Sequence, residues 1–236
     1  MLLPITTKQK EILLLLYRFR FLNRIQIQKL LNHKDSRRIN EWLKDLTYKN
    51  YTNRIYEKKL GINDPAIYFI SRNGIKFLKS LEECEGELIQ KLYQETRRSK
   101  VFVNQCILIA DVYINLHKQS SKGFEFYTQS DFPTKGQIRK LLPSFAYVKE
   151  IDKALMQYPC EILKIGMPRF AIRARIAKYL EFFKQDEQSN VYIIFISPNE
   201  IIQKFVKRFT EKLIDEDDRE DIKFEVITYE EAKIRE

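Results

Sequence analysis

The stretch DSRRINEWLKDLTYKNY, residues 35–51, alternates apolar side chains with charged and polar ones. On a helix, the polar positions share one face, which carries Arg37, Asn40, Glu41 and Lys44. The opposite face is apolar and carries Ile39, Trp42, Leu43 and Leu46. Guanidinium, amide, carboxylate and ammonium groups are the donors and acceptors that pair with base edges in the major groove of DNA. The spacing therefore predicts a helix that packs by one face and can read a base sequence with the other.

Basic and hydroxyl side chains before and after this helix could contact the sugar-phosphate backbone, which fixes the position of a protein on a duplex. Some lie in the preceding turn and at the start of the helix, and others flank a later turn. The predicted DNA-binding set therefore also includes Lys34, Ser36, Arg38, Arg54, Lys58 and Lys59. Solvated charges on an exposed helix face are the alternative interpretation.

Positive charge is concentrated in the first third of the chain. The formal net charge of the whole chain is +10, whereas residues 1–79 hold 17 Lys and Arg against 6 Asp and Glu, a net of +11. The remaining 157 residues therefore sum to −1. Because a concentrated positive charge recruits a polyanion through counterion release, we expect a DNA-binding module joined to a nearly neutral domain.

The order of elements in residues 1–80 indicates a winged helix-turn-helix. Helical periodicity begins after Thr6 or Thr7, a second short helix ends near Leu31, and a third begins at Asp35 or Ser36 and runs to about Lys49. Two strands follow, YTNRIYEKK and AIYFIS, with the turn LGINDP between them, and RNGIKFLKSL begins a closing helix. Three helices and a hairpin are the elements of that fold, in which the third helix enters the major groove.

The rest of the chain reads as a mixed α/β domain. We expect a winged helix at residues 1–82, a helical connector at 83–100 and an α/β domain at 101–236, which is either nuclease-like or a dimerisation domain. The apolar helix VFVNQCILIADVYINLH should be buried against the following sheet or a twin subunit. After it we predict strands at FEFYTQ, SFAYVKEID and YPCEILKIG, a helix at 169–184, the strand VYIIFIS, a helix at 199–213 and a final strand IKFEVIT.

Short segments along nearly the whole chain resemble the replication-relaxation family of plasmid and mobile-element proteins. They are YFISRNGIKFL, RRSKVFVNQCILIADVYINL, LLPSFA, CEILKIG and RIAKYLEFF. The resemblance implies an N-terminal winged helix joined to a core of restriction-endonuclease type. It also implies a role in replication control or transcriptional regulation.

The chain departs from such a core where a metal would bind. A working core resembles a Pro-Asp step followed by an acidic strand and a lysine, because two carboxylates must hold a divalent ion. Here Pro143 is followed by Ser144. Glu161 and Lys164 are three residues apart, which on a strand places them on opposite faces. We therefore expect no catalytic residue, no metal, no cofactor and no enzyme, although Glu150 or Asp152 could substitute for the missing acid.

Several other classes of protein are disfavoured. No apolar stretch approaches the length of about 20 residues that crosses a bilayer, so we expect a cytoplasmic protein without a membrane partner. The cysteines, Cys84, Cys106 and Cys160, are far apart and should be buried small hydrophobes. Only 6 glycines are present, and no glycine-rich phosphate loop is among them.

Three hypotheses remain open. The first is a sequence-specific duplex-DNA-binding protein, a homodimer that acts in replication control or transcription, without catalysis. The second is a metal-dependent nuclease or nicking enzyme whose winged helix only delivers it to a site. The third is an adaptor whose winged helix binds a replication or regulatory protein.

Overall fold

The computed structural model describes residues 2–56, 64–84, 86–119, 124–132, 141–151, 153–184, 191–216 and 223–234. The chain divides into two compact units, Met1–Ile114 and Asn115–Glu236. The predicted connector at 83–100 lies within the first of these units, and the domain boundaries stay a prediction. The described residues form two sheets and a set of helices, which confirms the mixed α/β class.

The first unit begins with three helices whose starts are fixed by side-chain caps. α1 (Thr7–Phe19) follows Thr6, whose hydroxyl accepts the amide of Gln9 while the Gln9 side chain accepts the amide of Thr6. Asn23 and Gln26 form the same reciprocal pair at α2 (Arg24–Leu30). Asp35 caps α3 (Ser36–Tyr48). Each cap satisfies amides that the first turn of a helix leaves free. The predicted starts of the first and third helices are confirmed.

A three-stranded antiparallel sheet follows the helices. It consists of β1 (Leu22–Asn23), β2 (Thr52–Ile55) and β3 (Ile67–Ile70), in the order β1-β3-β2. Tyr68 lies opposite Leu22 on one side and Arg54 on the other. The order α1-β1-α2-α3-β2-β3 is that of a winged helix, as predicted, with β1 as an additional short strand.

The core of the first unit lies between the three helices and the sheet. The fully buried side chains include members of all three helices: Ile12, Leu13, Leu16, Ile27, Ile39, Leu43 and Leu46. Trp42, which was predicted on the packing face of α3, is only half-buried. Its ring lies at the edge of the core, with the ring of His33 at 5.1 Å and the Arg38 guanidinium at 6.0 Å from its centroid.

α4 (Arg72–Leu78) approaches the backbone after α3 at one glycine. A Cβ at Gly74 would lie 2.3 Å from the carbonyl oxygen of Tyr51, which is closer than two such atoms can come. The Ser71 amide donates to the same carbonyl at 2.9 Å, and the Asn73 side chain donates to the Lys49 carbonyl at 2.9 Å. Glycine is thus required because the first turn of α4 rests directly on the main chain.

Residues 80–100 contain α5 (Gly86–Leu92) and a short 3₁₀ helix, Glu95–Arg97. α5 buries Leu88, Ile89 and Leu92. Glu95 is 2% exposed and accepts Arg20 Nε at 3.0 Å, and Arg20 is itself 7% exposed. Burial raises the pKa of Glu95, although the Arg20 charge opposes the shift. The segment predicted as a helical connector is therefore anchored by a buried ion pair inside the unit.

The long helix α6 (Lys100–Gln119) covers the small sheet with its first half. Val103 and Cys106 pack with Phe21 and Phe69, and Phe102 lies edge-on to Phe21 at 6.1 Å between ring centroids. We expected this helix to pack on the following sheet or on a twin subunit. Its first half covers Phe21 and the apolar side chains of β3, which otherwise would lie in water. Near its end, the His117 ring lies 6.4 Å from that of Phe124, in the first strand of the following sheet.

The second unit is built on a five-stranded sheet. Its elements are β4 (Phe124–Thr128), β5 (Phe145–Ile151), β6 (Ala154–Ile162), α7 (Arg169–Lys184), β7 (Tyr192–Ser197), α8 (Glu200–Glu216), β8 (Lys223–Thr228) and α9 (Tyr229–Ile234). The strand order is β4-β5-β6-β7-β8. The first three strands are antiparallel and the last three parallel. The predicted sequence of strands and helices is confirmed, and α9 is an additional element.

α7 and α8 are the crossovers that parallel pairing requires. They pack on the sheet around a cluster of fully buried side chains, Leu163, Ile176, Tyr179, Ile193, Phe195 and Val206. Aromatic side chains run across neighbouring strands, with Tyr147 stacked on Tyr158 at 4.5 Å and Phe126 stacked on Phe145 at 5.2 Å between centroids. These cross-strand pairs fix the register of β4, β5 and β6.

Of the cysteines, Cys106 and Cys160 are buried and Cys84 is half-buried, and all are free thiols. Within the described ranges, none of the helices has the length and apolarity needed to cross a membrane.

Candidate nucleic-acid interface

The polar face of α3 is open to solvent. Five of the predicted residues on this helix are exposed, namely Arg37, Arg38, Asn40, Glu41 and Lys44. Ser36 is half-buried. The opposite face buries Ile39, Leu43 and Leu46, so the helix cannot rotate to hide its polar side chains. Sequence periodicity therefore placed both faces of α3 correctly, apart from Trp42, which is only half-buried.

Positive side chains outnumber negative ones among the exposed residues of this face. Arg38 Nη1 lies 3.0 Å from Glu41 Oε2, and both side chains are exposed. This pair offsets the charge of the Glu41 carboxylate. Among the described residues no ion pair engages Arg37 or Lys44, so their charges stay available to an anionic ligand. An exposed pair of this kind is weak, which leaves Arg38 free to exchange Glu41 for a phosphate.

The turn before α3 is held by hydrogen bonds to its main chain. The Gln28 side-chain amide donates to the carbonyl oxygens of His33 and Lys34, at 3.1 and 3.3 Å. Asp35 Oδ1 accepts the Arg37 amide at 2.8 Å. Because these bonds span α2, the turn and the first turn of α3, they fix the end of the helix that a helix-turn-helix protein directs at the bases.

α3 is also joined to α1 by a buried amide. Gln9 is 2% exposed, and its Nε2 donates to Asp45 Oδ2 at 2.7 Å. Lys49 Nζ lies 2.7 Å from the same oxygen. The hydrogen bond from Lys49, assisted by that from Gln9, lowers the pKa of Asp45 although partial burial opposes the shift. The contact sets the angle of α3 on α1, and sequence periodicity could not reveal it.

Gln26 joins α2 to α6 in a similar way. Its side chain is buried, and Nε2 donates to the Ile107 carbonyl at 2.9 Å and to Asp111 Oδ1 at 2.8 Å. Asp111 lies on α6, so the helix that covers the sheet also supports α2. The helix-turn-helix is therefore braced from two sides by glutamine side chains that cap helices at the same time.

Basic side chains before and after α3 complete the described part of the interface. Lys34 and Arg54 are exposed, as a contact with phosphate requires. Lys58 and Lys59 lie outside the described residues and stay predicted contacts. Tyr48 is 86% exposed, at the spacing that continues the open face of α3 beyond Lys44. Its hydroxyl is available to a phosphate.

The second unit contains the acidic residue considered for nuclease chemistry. Glu161 Oε2 accepts Arg175 Nη2 at 2.7 Å and the hydroxyl of Tyr179 at 2.9 Å. Arg175 Nη2 also donates to the Leu142 carbonyl at 2.6 Å. Burial, followed by the charge of Glu161, raises the pKa of Tyr179, so the phenol stays a proton donor. Sequence reasoning missed Arg175, which lies one helical turn before Tyr179.

One further position of the expected metal site also has a structural role. Ser144, which stands where the resemblance expects an acid, accepts the Ile162 amide with its hydroxyl at 2.9 Å. Lys164 lies beyond the end of β6. Glu150 is exposed and pairs with Leu155, whereas Cys160, the neighbour of Glu161, pairs with Phe145 at the other end of β5. Glu150 is therefore remote from Glu161. Asp152 lies outside the described residues. In the described ranges, no group of three His, Cys, Asp or Glu side chains is placed to hold a metal ion.

We compared the chain with known protein families, curated proteins and solved structures. No family model, no curated protein and no solved structure matches the chain.

Proposed function

We propose that the chain is a sequence-specific protein for double-stranded DNA that acts without catalysis. The observation that carries the proposal is the open face of α3, where Arg37, Asn40 and Lys44 project into solvent. The other face of the helix buries Ile39, Leu43 and Leu46. In a winged helix this face enters the major groove. The side chains match the chemistry of base edges, since arginine and lysine pair with guanine and asparagine pairs with adenine.

Affinity comes from phosphate contacts on either side of α3. Lys34 and Arg54 are exposed, and Arg38 is engaged by a surface ion pair and by the Trp42 ring. Lys58 and Lys59 are the further contacts expected from sequence. The net charge of +11 on residues 1–79 supports this assignment. Each phosphate that is neutralised adds to the salt dependence of binding, through the release of condensed counterions.

The second unit serves, in this proposal, as a dimerisation or partner-docking module. One winged helix reads a short half-site, and a homodimer that binds paired half-sites gains affinity and selectivity. A replication or regulatory protein is the further partner. The resemblance to the replication-relaxation family suggests control of replication or transcription of a plasmid or other mobile element, in the cytoplasm.

The Glu161 contacts support the non-enzymatic part of the proposal. A carboxylate that holds a divalent ion must direct its lone pairs at the metal. Here one oxygen of Glu161 already accepts the Arg175 guanidinium and the Tyr179 hydroxyl, both from α7. The arrangement stabilises the packing of α7 on β6 and leaves the acid compensated by an arginine.

The test is the binding of the purified chain to DNA across a salt series. A library of random duplexes is selected for bound sequences, and fluorescence anisotropy then compares the selected duplex with a random one at several salt concentrations. We expect the selected duplex to bind more tightly by about 1000-fold or more, with affinity falling as salt rises. Arg208→Ala, which removes an exposed arginine of α8, is the control for loss of charge alone.

The same samples distinguish the alternatives. Supercoiled plasmid incubated with the protein and magnesium or manganese should be recovered intact. Conversion to open circles that is lost in Glu161→Ala would favour a nuclease instead. If neither selected nor random duplex binds at low salt, the proposal fails and the open face of α3 belongs to a protein partner.

A further inference from the structure

A cleft of about 620 Å³ lies in the first unit, and none of its described lining residues belongs to α3. Its walls come from the start of β2, the end of β3, the first turn of α4 and the segment that joins α5 to the 3₁₀ helix. The register pairs Thr52 with Ile70 at this end of the hairpin and Ile55 with Ile67 at the other. The cleft therefore opens at one end of the hairpin, and the β2-β3 connection lies at the other end. The connection is the part of the wing that would meet DNA.

The charge of the cleft has one sign. Arg72 and Arg97 line it, both are exposed, and neither has an ion pair or hydrogen bond of its side chain within the described residues. None of the described lining residues is acidic. The nearest carboxylate in sequence, that of Glu95, is buried and engaged by Arg20. Two guanidinium groups without a counter-charge create a positive potential in the concave space between them.

Neutral donors accompany the two arginines. Asn50 also lines the cleft, and its Oδ1 accepts the Ser71 hydroxyl, which leaves its amide nitrogen as a donor. The described part of the chain provides no acceptor for that nitrogen. Guanidinium groups bind phosphate in a bidentate manner, and amide donors add to such contacts. A phosphate group satisfies these donors better than a single carboxylate, because it offers three acceptor oxygens and up to two negative charges.

The remaining wall is apolar and aromatic. Ile70, Ile75 and Leu92 line the inner part of the cleft, and the Tyr93 ring, which is 48% exposed, stands at its edge. Lys79 Nζ lies 5.3 Å from the centroid of that ring and adds positive charge near the rim. An exposed aromatic ring beside an apolar floor accommodates a planar ring system by stacking. The volume falls in the range of sites that enclose small molecules.

We propose that this cleft binds a phosphate-bearing small molecule with a planar ring, of the class of nucleoside monophosphates. Arg72 and Arg97 bind the phosphate, the Asn50 amide adds a hydrogen bond, and the base stacks on Tyr93. Because Asn53 and Ile70 of the hairpin line the same cleft, a bound nucleotide stiffens the base of the wing. The proposal is independent of the DNA-binding proposal, since none of these residues lies on the open face of α3.

The test is isothermal titration calorimetry of the full chain with AMP, GMP, CMP and UMP in turn, and with inorganic phosphate as the ring-free probe. We expect at least one nucleotide to bind with one-to-one stoichiometry and a Kd below about 0.1 mM. Arg72→Gln and Arg97→Gln should each weaken that nucleotide at least tenfold. Arg208→Gln, an exposed arginine of the second unit, should leave its affinity unchanged.

A second variant tests the stacking. Tyr93→Leu should weaken the nucleotide severalfold while the affinity for inorganic phosphate stays the same. Both arginines and Tyr93 are exposed, so the variants should melt at the wild-type temperature.

Three outcomes would overturn the proposal. The first is that none of the four nucleotides binds at millimolar concentration. The second is that a nucleotide binds equally well to wild type and to both arginine variants, which would place it elsewhere. The third is that the arginine variants weaken duplex DNA but no nucleotide binds, which would make the cleft a phosphate contact of the DNA backbone.

Discussion

Arg175 joins three segments of the second unit through one guanidinium nitrogen. Its Nη2 lies 2.7 Å from Glu161 Oε2 on β6 and 2.6 Å from the carbonyl oxygen of Leu142, which precedes β5. Since Arg175 is on α7, one guanidinium ties a helix, a strand and a loop together. The side chains of Arg175 and Glu161 are only 18% and 12% exposed, so water cannot readily replace either partner.

Glu161→Gln should therefore destabilise the protein by about 1–3 kcal/mol, because it leaves the Arg175 charge half-buried without its counter-charge. Urea denaturation measures the loss. Glu211→Gln, which removes an exposed carboxylate of α8, should change the free energy of unfolding by no more than about 0.5 kcal/mol. Equal effects of the two substitutions would show that the ion pair contributes nothing to stability.

Gly74→Ala should destabilise the protein by about 1–3 kcal/mol, because the new Cβ would lie 2.3 Å from the Tyr51 carbonyl oxygen and α4 would have to move. Gly86→Ala is the matched control, since a Cβ at that helical position meets nothing within 4 Å. We expect the control to be neutral or slightly stabilising, because alanine favours helix. A Gly74→Ala protein as stable as the wild type would contradict the close contact.

Asp45 should contribute a pH-dependent part of the stability. Its pKa is lower in the folded state than the ordinary value of 3.8, chiefly because Lys49 donates to it, so the folded protein binds fewer protons than the unfolded one. The contribution is complete above the unfolded pKa and is lost as the pH falls through the lower folded pKa. Denaturation of wild type and Asp45→Asn between about pH 5 and pH 3 measures it. We expect the stability difference between the two proteins to shrink towards acid, and a constant difference would contradict the assignment.

Arg37 and Arg54 should differ in what they contribute to DNA binding. Arg37→Ala should cost about 1–3 kcal/mol on the selected duplex and relax discrimination at one base pair, because a base contact is lost. Arg54→Ala should weaken selected and random duplexes alike and reduce the salt slope by about one, because a phosphate contact is lost. Anisotropy titrations with both duplexes measure the two effects. If both substitutions acted equally on the two duplexes, the assignment of Arg37 to base reading would be wrong.

Cys106 should be unreactive in the folded protein. Burial raises the pKa of its thiol to about 12, so almost no thiolate is present at neutral pH. A colorimetric thiol reagent should label Cys84, which is half-buried, faster than Cys106 or Cys160. All three should react at one rate in denaturant. Mass spectrometry of the labelled peptides assigns the sites, and early labelling of Cys106 would contradict its burial.

Local patterns in the sequence were enough to place the helices and strands. Thr6 and Asp35 lie directly before the helices they cap, and the apolar spacing of α3 extends over three turns, so each signal is complete within a few residues. Trp42 was the exception on that helix. It belongs to the apolar face of α3, but it lies at the edge of the core and is only half-buried. Periodicity alone does not indicate how far the core extends.

The contacts that support the sites depend on residues far apart in the chain. Glu95 pairs with Arg20 across 75 positions, and Gln26 reaches Asp111 across 85. No spacing rule connects such partners, because the fold decides which side chains meet. The cleft between Arg72 and Arg97 was missed for the same reason, since each arginine by itself looks like an ordinary surface charge.

Trp42 is the single tryptophan of the chain, and its half-buried ring stands between His33 of the turn and Arg38 of α3. Its emission therefore reports on this one part of the molecule, without an attached label. Movement of the Arg38 guanidinium towards a phosphate would alter the surroundings of the indole directly. The protein thus contains its own optical probe at the edge of the surface where DNA would approach.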